Sequence, residues 1–155
     1  MANFVLDTGV VLGFIRGAAY AGYVEKKYAP SKAPNLASVS VVTVAEIQSF
    51  ALRRNWGANK QNALAELLRT IPATAIRHSS IIQKFAEIDA FNHRQHPTLQ
   101  PPAAGHTMGD NDIWVAATAS VLKATLLTTD RDFDHLDGAF LRVAYIDQSS
   151  TPGDA

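Results

Sequence analysis

Cysteine is absent from the 155-residue chain, which excludes disulfide staples and any thiolate metal site. A metal held here must therefore sit on oxygen or nitrogen. Excess charge is missing as well: 14 basic residues balance 14 acidic ones, so no protein-wide positive field draws in nucleic acid. A nucleic-acid role then requires local segregation, with acids gathered in one pocket and Arg or Lys along its rim. No apolar run approaches the about 20 residues that span a bilayer, and the N-terminus shows no basic segment leading into a signal-type apolar stretch. These absences point away from a membrane and towards the cytoplasm. Internal repeats and low-complexity tracts are also lacking.

What is present suffices for one core. The chain is 47% hydrophobic and 18% charged, the balance of an ordinary globular domain. We expect a single domain over 1–148 and a flexible tail over 149–155. Asn3 to Asp7 is a short apolar run closed by Thr8-Gly9, which predicts a buried strand with Asp7 at its C-terminal end. Helical pieces follow over Val10 to Ile15 and Ala18 to Tyr28, then a strand over Ala37 to Val42. Val44, Ile47 and Ala51 recur at helical spacing, as do Leu64, Leu67, Leu68 and Ile71, and Ile81, Phe85 and Ile88. Asn92 to Gly109, rich in His and Pro, reads as a long loop. Ile113, Ala116, Ala117 and Val121 mark a further helix, and Thr125 to Thr128 and Leu141 to Ile146 two last strands. Alternating strands and helices predict an α/β fold, with a central, mostly parallel sheet of four to five strands flanked by helices.

Ligands of such sheets bind beyond the carboxyl ends of the strands, and four acids are candidates for that rim. Each has a local alternative. Asp7 in Asp-Thr-Gly could be a turn residue. Glu46 closes Thr43-Val-Ala-Glu46, a capping-box pattern at a helix start. Asp112 follows Gly109-Asp-Asn at another helix start, where Asp110 or Asn111 is the better cap and Asp112 is left in the first turn. Asp130, near the end of the Thr125 strand, could be a turn acid in competition with Asp132. Carboxylates brought together repel, and one of them is protonated unless a cation compensates. Hard ions such as Mg²⁺ and Mn²⁺ take oxygen ligands, so such a cluster suggests one of them.

The order of Phe4-Val-Leu-Asp7-Thr, Val42-Thr-Val-Ala-Glu46-Ile, Asn111-Asp112-Ile-Trp-Val-Ala-Ala-Thr-Ala and Leu126-Leu-Thr-Thr-Asp130-Arg-Asp-Phe133 resembles PIN-domain ribonucleases, especially VapC-type toxins of bacterial toxin–antitoxin systems. The resemblance spans nearly the whole chain. It implies a PIN-like α/β fold and a Mg²⁺ or Mn²⁺ site on Asp7, Glu46, Asp112 and Asp130, with Thr8 and Thr129 bonding to the ligands and Asp110 and Asp132 in reserve. It further implies metal-dependent hydrolysis of RNA, such as tRNA or ribosomal RNA, and inhibition by a small antitoxin protein, and it allows a homodimer. The chain is longer than compact members through Ala18 to Pro34 and Asn92 to Gly109.

Arg16, Lys32, Arg53, Arg54, Arg94 and Arg131 are candidate phosphate contacts on the rim. Tyr20, Trp56 and Trp114 could stack on unpaired bases, although packing is the commoner use of such residues. His93, His96 and His106 share one loop and form a rival zinc set, but their spacing fits no helical ligand pair. Asp7-Thr-Gly9 also matches the aspartic-protease signature, whose fold is almost wholly β and conflicts with the helical periodicities. A non-catalytic interaction module on a PIN-like scaffold is the remaining alternative.

Overall fold

A computed structural model describes residues 1–101 and 107–155. Five strands form one parallel sheet in the order β3-β2-β1-β4-β5. They are β1 (Asn3–Leu6), β2 (Leu36–Ser40), β3 (Ala73–Thr74), β4 (Thr125–Thr128) and β5 (Arg142–Tyr145). The chain winds outward from β1 through β2 to β3, then returns to the far side of β1 for β4 and β5. Strand order therefore reverses between β1 and β4, and the crevice at their carboxyl ends is the expected ligand position.

Alternation along the strands divides the core in two. Phe4, Leu6, Val39 and Leu127 face one layer, made of α1 (Thr8–Arg16), α2 (Ala19–Tyr28), α3 (Val41–Arg53) and α4 (Ala58–Thr70). Val5 and Leu126 face the other, made chiefly of α5 (Ser79–Asn92) and α6 (Asp110–Val121). Being covered on both faces, β1 and β4 read as continuous apolar runs. Gly17 ends α1 at φ 64°, with its N–H donating to Phe14 O and that of Ala18 to Gly13 O, a paired closure that needs the left-handed region and turns the chain into α2.

Several boundaries depart from expectation. The second strand stops at Ser40, which also caps α3: its Oγ accepts the Val42 N–H at 3.2 Å. Helix α3 thus starts at Val41, and the expected box at Thr43 and Glu46 is not formed. Thr43 lies buried inside the first turn, and Glu46 falls one turn further along, free of any capping role. Gly109, rather than Asp110 or Asn111, occupies the cap position of α6, without a side-chain bond. Strand β3 is two residues long and carries no periodic signal of its own. The last residues, expected to fray, form a 3₁₀ turn over Pro152–Asp154, closed by a reciprocal box between Thr151 and Asp154. Lys26 Nζ of α2 donates to Pro152 O at 2.9 Å, and Pro152 packs where Gly22 leaves room.

Candidate metal centre

Asp7 follows β1 directly and is only 6% exposed. It occupies the cap position of α1 but accepts no capping bond there. One carboxylate oxygen instead accepts the Thr128 hydroxyl at 2.7 Å, across the β1–β4 pair. Thr128 Oγ1 also accepts the Asp130 N–H at 3.0 Å, so one hydroxyl fixes acids from two strand ends. The family resemblance implies such a role for Thr129 rather than Thr128. The signal for Thr128 was a polar residue closing an apolar strand, but its meaning depended on the pairing of Leu127 with Leu6, which places Thr128 beside Asp7. Thr129 packs on Gly9 instead, where a Cβ would overlap its hydroxyl oxygen.

Glu46 reaches the same crevice from α3 and accepts the Thr8 hydroxyl at 3.4 Å. Asp112 comes from the first turn of α6. Asp130 caps the 3₁₀ turn Arg131–Leu136, accepting the Asp132 N–H at 2.8 Å on one oxygen and leaving the other unused by that bond. Carboxylate oxygens of Asp112, Asp130 and Asp132 lie within 4.8 Å of one another. The reserve residue Asp132 is therefore part of this trio, while Asp110 is not, and Asp7 and Glu46 of the expected set of four lie outside it.

The electrostatics bind the group together. Burial pushes Asp112 up to about 7, with further upward contributions from Asp7, Asp130, Glu46 and Asp132. Burial likewise raises Glu46, and the charge of Asp7 adds to it. Asp7 is raised by burial, against the opposing hydrogen bonds from Thr128 and the Thr8 amide, and Asp130 raises it further. Acids from four separate segments thus sense one another across a single crevice. Such a set is frustrated when all its members are ionised, and a hard divalent cation relieves it with the oxygen donors it prefers. The residues present fit such an ion.

The other candidates sort differently. Arg131 stacks 3.7 Å from the Tyr145 ring centroid and pairs with Asp134 at 3.2 Å. Tyr20 and Trp56 are buried in the α1–α4 core, with the Tyr20 hydroxyl donating to Gly9 O at 2.8 Å. Trp114 packs on Phe85 with ring centroids 4.2 Å apart. Tyr20 and Trp56 thus serve the core rather than a stacking surface. His93 Nδ1 lies 2.9 Å from Asp89 O, and His96 Nδ1 accepts the amides of Thr98 and Leu99; His106 lies outside the described residues. The all-parallel sheet, with Thr8 and Gly9 inside α1, excludes the aspartic-protease reading.

Comparison with protein-family models matches the PIN domain over residues 4–139. The chain belongs to the PIN-domain family. No curated protein matches it significantly. Among solved structures, this PIN domain is similar to one of VapBC2 from Rickettsia felis bound to a DNA fragment from their promoter, with TM-score 0.75 and 19% identity, covering 94% of this chain and 99% of that one. VapBC-1 from nontypeable Haemophilus influenzae gives 0.68 and 17%, covering 92% and 97%. FitAcB from Neisseria gonorrhoeae gives 0.62 and 21%, covering 90% and 95%. At these identities the likeness is one of fold, and it extends over nearly the full length of each chain.

Proposed function

We propose that this PIN domain is a divalent-metal-dependent endoribonuclease, and that it serves as a VapC-type toxin held in check by a small antitoxin protein in the cytoplasm. The observation that carries the reading is the convergence of acids at the point where strand order reverses: carboxylate oxygens of Asp112, Asp130 and Asp132 within 4.8 Å of one another, with Asp7 tied to the Asp130 backbone through the Thr128 hydroxyl and Glu46 held beside them by Thr8. Fold neighbours described as toxin–antitoxin systems, VapBC-5 from Mycobacterium tuberculosis and a complex from Klebsiella pneumoniae, supply the biological context. Among the described residues, no helix is long and apolar enough to cross a membrane.

Asp7, Asp112 and Asp130 would hold Mg²⁺ or Mn²⁺, with Asp132 close enough to join them, and Glu46 would either ligate the ion or orient the attacking water. A bound ion of this kind lowers the pKa of a coordinated water and offsets charge on a phosphodiester. Thr128 keeps Asp7 and the Asp130 backbone in register. Thr8 does the same for Glu46. Without a cation the ionised pocket repels a phosphate, so the acids also make activity conditional on metal.

Calorimetric titration with Mn²⁺, combined with a cleavage assay on total tRNA and ribosomal RNA, tests the reading. We expect saturable Mn²⁺ binding, cleavage abolished by chelator, and a loss of two orders of magnitude or more in Asp112→Asn, the scale on which charge-stabilising groups contribute to catalysis. Absence of both metal binding and cleavage would return the chain to a non-catalytic interaction module.

A further inference from the structure

Three of the six cations singled out in the sequence converge on one ring. Arg16, Arg53 and Arg54 place their guanidinium carbons 5.5, 5.8 and 5.3 Å from the centroid of Phe50. All three are exposed, and among the described residues none of them makes an ion pair. Each stands at the C-terminal end of a helix, α1 or α3, where a cation suits the helix dipole. The dipole does not require three like charges to meet on a single ring, nor to do so without a carboxylate partner. In a chain whose formal charge sums to zero, this is a local basic excess.

Its position ties it to the metal centre. Glu46, Phe50 and Arg53 follow one another at i, i+4 and i+7, so they share one face of α3 and lead away from the acids over about 10 Å. The same face lines a cleft of about 520 Å³ with Thr8, Ser49 and Asn111, a size that accommodates a small ligand or part of a larger one. Beyond it the buried Trp56 backs Phe50 edge-on at 6.0 Å, and Lys60, 5.7 Å from the Trp56 ring, adds a further exposed cation.

An aromatic face bordered by guanidinium groups beside an acidic, metal-type centre has the chemistry of a single-stranded nucleic-acid track. Unpaired bases stack on such rings whatever their sequence, and arginine takes phosphate oxygens two at a time. Exposed cation–π contacts are weak, so the guanidinium groups can exchange the ring for phosphate when a base arrives. We infer that the C-terminal half of α3, with Arg16 of α1, is the track on which single-stranded RNA lies: an unpaired base on Phe50, and neighbouring phosphates on Arg16, Arg53 and Arg54, next to the cleavage centre. This rests on the ribonuclease reading above and adds to it where the strand runs.

The test is fluorescence anisotropy with a labelled single-stranded RNA of about ten nucleotides, a length suited to such grooves, titrated at several salt concentrations with chelator present so that no strand is cut. Combining Arg16→Ala, Arg53→Ala and Arg54→Ala should weaken binding roughly tenfold or more and lower the slope of log affinity against log salt by about 2, at about 0.7 per phosphate lost. Phe50→Leu should weaken binding severalfold while leaving that slope unchanged, a signature of lost stacking that a folding defect would not give. Arg69→Ala, at an exposed position on α4 paired with Glu66, serves as the neutral control. A triple variant with the affinity and slope of the parent overturns the track; if the parent still cuts RNA and binds Mn²⁺, the nuclease reading survives that result. A parent that neither binds nor cuts RNA overturns both.

Discussion

The middle of the central strands and their last residues obey opposite rules. Val5, Leu6, Val39, Leu126 and Leu127 are buried and wholly apolar, whereas Asp7, Ser40 and Thr128, at or just past the carboxyl ends of the same strands, are equally buried and polar. The first set holds the sheet between two helical layers. The second set positions groups that oppose folding unless they are paired: a hydroxyl on a carboxylate and a hydroxyl on an amide. Stability and function are therefore separated by a single residue step along each strand, and substitutions on the two sides of that step should have distinct signatures.

The largest effect on stability belongs to the apolar side. Leu126→Ala empties a fully buried position between β4 and the α5–α6 layer and should cost about 3 kcal/mol, lowering the melting temperature by roughly 6–12 °C in calorimetry. Well below its own melting point, this variant should bind Mn²⁺ within about twofold of the parent. A large loss of metal affinity in the folded variant would show that the two sides are not separable.

Asp112 gives a smaller effect of the opposite sign. Its carboxyl titrates at about 7 rather than near 3.8, so the metal-free folded chain keeps a proton through a pH range where the unfolded chain has released it. The stability from this group is full below about pH 4 and is lost as pH rises through 7. Asp112→Asn cannot ionise and should remove that slope. At pH 8 it should exceed the metal-free parent in stability by roughly 1–2 kcal/mol, after allowance for solvent screening of a half-exposed group. Saturating Mn²⁺ should reverse the ranking, because the cation stabilises the ionised parent. Denaturant melts across pH 4–8, with and without Mn²⁺, would expose either failure.

Thr128→Val makes the smallest change, with nearly conserved volume. It leaves Asp7 and the Asp130 amide without their shared hydroxyl, and should cost about 1 kcal/mol of stability and about tenfold in Mn²⁺ affinity. Removing a hydrogen bond that lowers the Asp7 pKa also raises it, so the affinity loss should deepen as pH falls. An affinity unchanged by this substitution, measured by the same calorimetry, would show that Asp7 needs no support from β4.

Much of this division was legible in the chain. The apolar runs, the helical periodicities and the four acids behind them are local patterns, and the α/β order followed from them. Features that depend on pairing across the chain were not. The role of Thr128 could not be read from its strand alone, because the β1–β4 register that sets it beside Asp7 is invisible there. Thr43 appeared to open a helix because its spacing to Glu46 fits a capping box, yet Ser40 had already supplied the cap three residues earlier. Asp132 entered the acidic trio through the 3₁₀ turn that Asp130 caps, a bend with no apolar rhythm to announce it. The C-terminal turn was missed for a similar reason: it is held by contacts with α2, far away in sequence.

Ser40 has a consequence of its own. Because the residue that ends β2 also launches α3, no slack separates sheet from helix, and the helix phase is geared directly to the strand. One additional residue at that junction would rotate α3 by about 100°, swinging Glu46 off the crevice and Phe50 away from Arg16 of α1 in the same movement. The α3 face can vary in chemistry, while the spacing between strand and helix is fixed to the residue.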